Sequence, residues 1–280
     1  MAERFLVSRH RPTPRDFPAE GKRRFRLTVE FDGTDYAGWQ RQENAVSVQQ
    51  VLEETRLCLT GEDCRVTGSS RTDAGVHARG LVCHFDSGTR IPAEKLAFAL
   101  NALLPPAIRI RESGIAPPGF HARYSACGKV YRYSICNARH APAIGRQYCW
   151  HVPVPLSEER MREAAGMVVG THDFAAFAAS GSVAKDTRRT IFRCGVLRRG
   201  DEVRLTVLGD GFLYNMVRIL AGTLAEIGMG KRDASAVAEA IRTGDRLLLG
   251  ATAPARGLTL LAALYGGDEE KALSFFEEQK

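Results

Sequence analysis

The order of the periodic apolar segments constrains the fold of this chain more than any other feature of its sequence. Apolar and polar residues alternate over residues 25–31, a pattern typical of a half-buried strand. A helix is predicted to follow, because Ser47 and Gln50 have the spacing of a capping box and Gly61 is a typical helix terminator. The buried face of this helix is predicted to consist of Val48, Val51, Leu52, Thr55 and Leu59.

The alternation of strands and helices continues through the rest of the chain. In the first half, strands are predicted at residues 64–67, at 81–85 and from Ile108 onwards, with a helix between Pro92 and Leu104. The second half is predicted to contain the same kinds of element. Its strands are predicted at 131–135, 190–197, 202–208 and 258–264, and its helices from 157 onwards, at 213–227 and at 234–242. Each half therefore follows the order β-α-β-β-α-β. This order predicts an α+β fold of two ferredoxin-like α/β-sandwich halves, with helices on one face of a mostly antiparallel sheet.

A stretch that contains proline and glycine separates the two halves. Residues 113–123 hold two Pro and two Gly, a composition typical of a connection between folded units. We therefore predict an N-terminal α+β domain over residues 24–118 and a C-terminal α+β domain over residues 119–266. Outside them we predict a basic, disordered arm at residues 1–23 and an acidic tail at residues 267–280, which forms a short amphipathic helix.

The charge distribution permits a nucleic-acid partner without requiring one. Lys and Arg number 39 and Asp and Glu number 32, which gives a formal net charge of +7. The segment 1–26 is basic, with Arg and Lys outnumbering Asp and Glu. Arginines are also concentrated in the predicted hairpin, where they either follow an RNA backbone by counter-ion release or belong to an ordinary charged hairpin. They are Arg188, Arg189, Arg193, Arg198, Arg199 and Arg204.

Several function classes are disfavoured by what the sequence lacks. None of the cysteines forms a C-x-x-C pair, so neither a zinc site nor a disulfide framework is predicted, and reduced thiols in the cytoplasm are expected. No apolar run approaches the roughly 20 residues that a membrane span requires. The phosphate-binding loop that ends in Lys-Ser or Lys-Thr and the dinucleotide fingerprint are both missing from the sequence.

The segment from Gly68 to Ala78 is the most unusual part of the sequence. Small residues surround one cation, Arg71, and one carboxylate, Asp73. The glycines Gly68 and Gly75 permit a tight turn or a close approach of a ligand to the backbone. Taken alone, an aspartate before Ala-Gly is either a turn former or a functional carboxylate.

The eight residues from Arg71 to Ala78 resemble the signature loop of the tRNA pseudouridine synthase A family. Further segments resemble motifs of the same family in the same order, over roughly residues 24–265. They are residues 31–34 with 38–42, residues 120–123 with 129–133, residues 211–218 and residues 252–258. One departure is Ser70, where many family members have glycine, and it leaves the charged pair unchanged.

This resemblance implies a pseudouridine synthase fold and the isomerisation of uridine to pseudouridine in tRNA. The implied substrate is the anticodon stem-loop, at tRNA positions 38, 39 and 40, and the implied assembly is a cytoplasmic homodimer. The reaction breaks the bond between ribose C1′ and uracil N1 and joins C1′ to C5. Because it consumes nothing, no cofactor and no metal are expected.

A single carboxylate is sufficient for this chemistry in principle. Cleavage of a glycosidic bond builds positive charge at C1′, which a carboxylate stabilises or attacks. A glycosidase needs a second carboxyl group to activate water, whereas a synthase recaptures the departing base and only has to exclude water. The resemblance assigns this role to Asp73. Whether its carboxylate attacks C1′, attacks the base or abstracts a ribose proton stays open.

Three further residues match the family motifs. Tyr131 resembles the tyrosine that stacks on the target uracil, although its strand pattern alone is equally that of a core aromatic. Arg218 resembles the late arginine that pairs with the catalytic aspartate and keeps it ionised; without the motif it would be a helix-surface arginine. Arg71 is interpreted as a contact to phosphate or a base-flipping residue. We interpret His77 and His84 as structural residues, because no companion metal ligands accompany them.

Other interpretations of the same residues stay open. Residues 30–34 resemble the D-x-D-G-T loop of haloacid-dehalogenase-type phosphatases, but Glu30 replaces the nucleophilic aspartate and the predicted sheet is not parallel. A synthase of the same family that acts on another RNA position is one alternative, and a non-catalytic tRNA-binding module is another. The joint presence of Asp73, Tyr131 and Arg218 favours an active enzyme over the module.

Overall fold

The computed structural model of this protein describes residues 5–8, 10–181 and 184–277. The chain forms two compact units. The first contains the described residues up to Cys127 together with Leu260–Glu269, and the second contains Gly128–Thr259 together with the described residues from Glu270 onwards. The boundary between the two units lies between Cys127 and Gly128, whereas the sequence predicts a domain boundary between residues 118 and 119.

Residues 119–127 belong to the first unit because their side chains share its core. Phe120 and Ala122 are buried in one cluster with Val82 and Tyr265. The Tyr265 hydroxyl donates a hydrogen bond of 2.7 Å to the Ala122 carbonyl. The Pro- and Gly-containing stretch therefore connects two parts of the same unit.

The first unit is an antiparallel sheet with two helices. Its strands are β1 (Arg23–Phe31), β2 (Thr67–Gly68), β3 (His77–Ser87), β4 (Ile108–Ile115) and, from residue 260 onwards, β10 (Leu258–Leu264); its helices are α1 (Val48–Thr60) and α2 (Leu96–Asn101). The strand order is β4-β1-β3-β10, and β2 also pairs with β3. In β1, Phe25, Leu27 and Val29 are fully buried, as their alternation predicts.

The second unit has the same kind of architecture. Its strands are β5 (Gly128–Cys136), β6 (Trp150–His151), β7 (Gly170–Asp173), β8 (Arg188–Arg199) and β9 (Glu202–Gly209); its helices are α3 (Glu158–Gly166), α4 (Met216–Gly228), α5 (Ser235–Thr243) and most of α6 (Glu269–Glu277). The strand order is β5-β9-β8-β7, with antiparallel neighbours. Only the short β6 runs parallel to its partner β5 among the pairings of this unit in the described chain.

The order of the elements confirms the predicted α+β class. The first half follows β1-α1-β2-β3-α2-β4, and the second follows β5-α3-β8-β9-α4-β10 with β6, β7 and α5 added. The additional strands escaped prediction because two or four residues are too few to show a period. The helix predicted for the acidic tail is present as α6, and Arg193 of β8 lies over its Phe276 ring.

The buried face of α1 differs from the predicted one. The helix begins and ends as predicted: the Ser47 hydroxyl accepts a hydrogen bond from the Gln50 amide, and Gly61 adopts a left-handed conformation with φ +69°. Its buried side chains, however, are Val48, Gln49, Leu52, Glu53 and Arg56. The predicted members Val51, Thr55 and Leu59 are only half-buried.

Arg56 explains why the apolar pattern predicts the wrong face. Its side chain is fully buried, and its guanidinium donates to the carbonyls of Glu62 and Cys64 at 2.8 and 2.5 Å. The guanidinium also lies 5.3 Å from the centre of the Phe85 ring. A cation with partners of this kind is tolerated in a core, and a hydropathy pattern does not reveal the partners.

Part of the predicted basic arm packs against the first unit. Residues 14–16 form a turn of 3-10 helix, in which the Asp16 carboxylate accepts hydrogen bonds from the Thr13 amide and hydroxyl at 2.7 and 2.8 Å. Asp16 is buried. Residues 1–4 and 9 of the arm lie outside the described residues, so the predicted disorder stays a prediction there.

Arg24 joins three segments of the first unit. Its guanidinium donates to both carboxylate oxygens of Asp86, at 2.7 and 2.9 Å. It also donates to the carbonyl of Asp16 at 2.5 Å and to that of Phe120 at 2.7 Å. Because Arg24 is buried, these bonds compensate a desolvated cation and hold both the arm and the 120–125 segment against β1 and β3.

Helix α4 is almost completely buried. All of its residues except Arg218 and Glu226 are buried, so its apolar surface belongs to the core of the second unit. Within the described ranges, no helix has both the length and the hydropathy to cross a membrane.

We predict that Arg24→Met destabilises the protein by about 2–4 kcal/mol, because it leaves the Asp86 carboxylate and two carbonyls without their donor. The measurement is urea unfolding followed by circular dichroism. Arg23→Met is the matched control: Arg23 is the exposed neighbour, and its loss should cost about 1 kcal/mol or less. Equal losses in the two variants would contradict the role assigned to Arg24.

Candidate active site

Asp73 lies in a tight turn between β2 and β3. The Val76 amide donates to the Asp73 carbonyl at 3.1 Å, and Gly75 has φ +77°, the combination expected of a type II turn that begins at Asp73. Asp73 is half-buried. Of the two residues before it, Thr72 is buried and Arg71 is exposed. Asp73 is thus a turn residue and a partly accessible carboxylate at once, so the two interpretations of the sequence are compatible.

The segment 33–39 holds this turn through its backbone. The Trp39 amide donates to the Thr72 carbonyl at 3.1 Å, and the Gly75 amide donates to the Tyr36 carbonyl at 3.2 Å. One hydrogen bond lies on each side of Asp73 in the sequence. The backbone of the turn that carries Asp73 is therefore held by main-chain contacts on both sides of this residue.

Two glycines make this close approach possible. A Cβ atom on Gly38 would lie 2.3 Å from the Thr72 carbonyl oxygen, and one on Gly33 would lie 2.0 Å from the Val76 carbonyl oxygen. Gly38 also has φ +85°, in the left-handed region that favours glycine. In the sequence these glycines are only positions that match a motif, and the close approach of the two backbones is the physical reason for them.

Two hydroxyl groups that flank Arg71 are buried without a hydrogen-bond partner. Ser70 and Thr72 are 6% and 8% exposed, and among the described atoms neither Oγ of Ser70 nor Oγ1 of Thr72 has a partner. An unsatisfied buried hydroxyl costs about 1–3 kcal/mol. The loop therefore stores free energy next to Asp73.

Tyr131 lies within β5, opposite Val207 of β9. It is 8% exposed, and its ring meets the Phe212 ring edge-on at a centroid distance of 5.2 Å. Strand alternation places Tyr133 on the same face, where it is fully buried and its hydroxyl donates to the Pro254 carbonyl at 2.8 Å. Tyr131 is thus held by ring packing, a geometry suited to an aromatic platform.

Arg218 lies in the first turn of α4 and is held at two points. Its Nε donates to the Ala253 carbonyl at 2.8 Å, and its Nη1 donates to the side-chain oxygen of Asn215 at 2.7 Å. Asn215 precedes the helix with φ 60° and is the only non-glycine residue with positive φ in the described part of the chain. Asparagine tolerates this conformation better than most residues. The predicted helix start at Leu213 is therefore too early, because Asn215 breaks the helical backbone.

The predicted site residues are divided between the two units. Arg71 and Asp73 lie in the first unit, and Tyr131 and Arg218 lie in the second. Within the first unit the structure brings Arg71 and Asp73 into one loop. The pairing of Arg218 with Asp73 and the placement of Tyr131 over the same target base stay predictions.

A basic cleft adjoins the Asp73 loop within the first unit. Its volume is about 190 Å³, and we call it the Tyr124 cleft. Its lining includes the polar, cationic and aromatic side chains of Arg65, Ser70, Arg71, His121, Arg123 and Tyr124. Sequence reasoning missed Arg65 and Tyr124. The available signal was an aromatic residue next to the arginine of the 120–123 motif.

The histidines near this cleft accept hydrogen bonds from backbone amides. His84 Nδ1 accepts from the Ala122 amide at 3.1 Å, and His77 Nδ1 accepts from the Gly33 amide at 3.0 Å. Burial, reinforced by the Arg24 charge, lowers the pKa of His84 to about 3. These contacts give both imidazoles a structural role. Within the described chain, no group of three His, Cys, Asp or Glu side chains could hold a metal ion.

The arginines of the β8–β9 hairpin are not equivalent. Arg198 donates to the Asn137 side chain and the Leu156 carbonyl, both at 2.9 Å, and Arg204 pairs with Glu202 at 2.6 Å. Arg188 and Arg199 are exposed. The hairpin thus combines structural arginines with exposed ones, and only the exposed ones suit an electrostatic contact with RNA.

Comparison with known proteins adds an independent finding. A family model described as tRNA pseudouridine synthase matches residues 27–125 and 164–266. The tRNA pseudouridine synthase A of Ruminiclostridium cellulolyticum is 49% identical over 244 residues, which cover 87% of this chain and 100% of that protein. The tRNA pseudouridine synthase A of Thermoanaerobacter sp. (strain X514) is 45% identical over 239 residues, which cover 85% of this chain and 98% of that protein.

Solved structures show a more distant similarity. A chain in the crystal structure of a Cbf5-Nop10-Gar1 complex is 13% identical, with a TM-score of 0.39. The match covers 90% of this chain and 56% of that one, so this chain spans little more than half the length of its structural neighbour.

We predict that Gly38→Ala destabilises the protein by about 3 kcal/mol, because a left-handed penalty adds to a backbone clash with the Asp73 loop. Urea unfolding measures the loss. Gly21→Ala is the matched control, since Gly21 has φ +77° but nothing lies within 4 Å of a Cβ there. The control should lose only about 1 kcal/mol. If both variants lose the same amount, the clash with Thr72 is not the cause.

The lowered pKa of His84 predicts an acid-sensitive fold. The unfolded imidazole takes up a proton near pH 6.5, whereas the folded one does so only near pH 3, so stability is lost as the pH falls below about 6.5. His84→Asn retains an acceptor oxygen and removes the titration. It should abolish about 1 kcal/mol of the stability loss between pH 7.5 and 5.5, measured by urea unfolding at each pH.

The exposed His140 supplies the control for this measurement. His140→Asn should leave the pH dependence of the wild type unchanged. An identical pH dependence in His84→Asn and the wild type would refute the assignment to His84.

Proposed function

This chain belongs to the tRNA pseudouridine synthase family, and we propose that Asp73 is the carboxylate through which it isomerises uridine to pseudouridine in the anticodon stem-loop of tRNA. One observation carries the assignment of Asp73. The family's signature loop forms a turn in which Asp73 is half-buried, and main-chain hydrogen bonds hold the backbone of this turn on both sides of Asp73. Fixed placement is what a group that acts on a reacting carbon requires.

The reaction is balanced without any added reagent. The C1′–N1 bond breaks and the C1′–C5 bond forms, while the proton lost from C5 is matched by one gained at N1. Positive charge builds at C1′ as the first bond breaks. The Asp73 carboxylate stabilises this charge or forms a transient bond, and it is restored when C5 takes its place.

Tyr131 and Arg218 complete the proposed site. Tyr131 offers a ring backed edge-on by Phe212, on which an extruded uracil stacks. Arg218 is held by Asn215 and Ala253 at the start of α4, which fixes a cation that keeps Asp73 ionised when water is excluded. Arg71, exposed and two residues before Asp73, is proposed to contact phosphate or to assist base flipping.

The finer identity of the substrate is part of the proposal. We propose tRNA positions 38, 39 and 40 as targets, with a cytoplasmic homodimer as the active form, on family resemblance. The first alternative is a synthase of the same family that acts on another RNA position. It differs from the proposal only in the position at which pseudouridine forms. The alternative of a non-catalytic tRNA-binding module is disfavoured by the joint presence of Asp73, Tyr131 and Arg218.

We predict that Asp73→Asn forms no detectable pseudouridine, because an amide cannot stabilise or capture the positive charge at C1′. The wild type and the variant are incubated with unmodified tRNA, and pseudouridine is mapped by position. The wild type should give product in the anticodon arm. RNA affinity of the variant should stay within roughly tenfold of wild type, because phosphate contacts supply most of the binding.

Asp63→Asn serves as the control, since it removes an exposed carboxylate of the same unit. It should retain wild-type activity. Normal turnover by a folded Asp73→Asn protein would sink the proposal. Binding of tRNA without any turnover by the wild type would favour the module instead.

A further inference from the structure

We propose that the Tyr124 cleft is a second nucleotide site, which holds a non-target nucleotide of the RNA with its base on the Tyr124 ring and its phosphate on the cleft arginines. This inference rests on the function proposed above and deepens it, since it adds a contact beside the reacting base. It concerns residues of the first unit alone.

The charge of the cleft suits a phosphate. Arg65, Arg71 and Arg123 line it and are all exposed, and no acidic residue is among the described residues that line it. Three cations in a lining without acidic residues attract a polyanion and release its counterions on binding. An ordinary charged surface intersperses both signs, which this cleft does not.

The ring at the edge of the cleft suits a base. Tyr124 is 57% exposed, and its ring stacks on the His121 ring at 4.2 Å with an interplanar angle of 27°. The Arg123 guanidinium lies 5.8 Å from the Tyr124 ring centre. An accessible aromatic ring next to a cation is the usual platform for an unstacked base in single-stranded RNA.

Several hydrogen bonds within residues 121–125 hold the segment that carries this ring. His121 Nδ1 accepts hydrogen bonds from the Arg123 and Tyr124 amides, both at 3.2 Å. The Ser125 amide donates to the His121 carbonyl at 2.9 Å, and the Ser125 hydroxyl accepts from the His121 amide at 3.0 Å. Burial lowers the pKa of His121, which favours the neutral form that can accept these bonds. A preorganised platform loses little entropy on binding.

The position and size of the cleft indicate a neighbour of the target. Ser70 and Arg71 form part of its wall, so it adjoins the Asp73 loop. Its volume of about 190 Å³ is below the roughly 300–1,000 Å³ of typical drug-sized ligand sites, so it encloses only part of one nucleotide, and the exposed Tyr124 ring and arginines contact the rest. The buried Ser70 hydroxyl adds a polar group to the same wall.

The first test compares substitutions at Tyr124. Dissociation constants for unmodified tRNA are measured by filter binding, together with the single-turnover rate at saturating RNA. Tyr124→Ala should weaken binding roughly tenfold or more, and Tyr124→Phe should stay within about threefold because it keeps the ring. Phe98→Ala is the control, since Phe98 is 78% exposed in the same unit but does not line the cleft.

The second test identifies the phosphate contact through its salt dependence. Arg123→Ala should reduce the slope of the logarithm of the binding constant against the logarithm of salt concentration by about 0.7–0.9. Arg90→Ala removes an exposed arginine of the same unit outside the cleft and should leave the slope unchanged. A loss of folding alone would not alter the slope in this way.

The third test locates the nucleotide. An abasic residue is placed in turn at each position of an anticodon-arm RNA. At one non-target position, the abasic RNA should bind the wild type as weakly as intact RNA binds Tyr124→Ala. The same abasic RNA should bind Tyr124→Ala with no further loss of affinity. Additive losses at every position, or wild-type affinity of Tyr124→Ala, would overturn the second site.

These outcomes are separable from failure of the proposed function. If the wild type forms no pseudouridine but the Tyr124 and abasic results hold, the nucleotide site stands and the role of Asp73 falls. If product forms normally and Tyr124→Ala binds RNA like the wild type, the proposed function stands and the second nucleotide site falls. Stronger competition by an acidic peptide than by RNA would show a protein ligand and overturn the inference.

Discussion

The contact between two stretches of main chain determines the form of the whole site. Residues 33–39 and 72–76 exchange hydrogen bonds on either side of Asp73, and no side chain intervenes at Gly33 or Gly38. Side-chain contacts can shift among rotamers, whereas main-chain contacts of this kind move only with the surrounding strands. The backbone of Asp73 is therefore tied to the sheet, although the residue lies in a loop.

The features that sequence alone could predict are those that repeat along the chain. Strand β1 and most of β5 bury alternate residues, and α1 begins at a serine and ends at a glycine, so the class and order of elements followed from pattern. The buried face of α1 was wrong because Arg56 finds partners in a following loop and above the Phe85 ring. Partners of that kind depend on tertiary structure, which a local pattern does not contain.

The candidate site shows the same limit in another form. Asp73, Arg71, Tyr131 and Arg218 were identified by resemblance to motifs, and their roles stay predictions. The Tyr124 cleft could not be predicted, because residues from four separated parts of the chain line it: residues 39–40, Gln49 of α1, residues within 65–71 and residues within 121–124. The junction at 118/119 missed that residues 119–127 share the core of the first unit, since no local signal records the hydrogen bond from Tyr265 to Ala122.

Asn215 shows how one residue can serve two requirements that oppose each other. Its backbone occupies a left-handed conformation that glycine would adopt more easily, yet its side-chain oxygen holds the guanidinium of Arg218. Glycine there would relieve the backbone and release the cation, and a larger polar residue would hold the cation at a higher conformational cost. Engineering for heat resistance should therefore leave this position alone, because the substitution that most improves the fold would loosen the arginine proposed for catalysis.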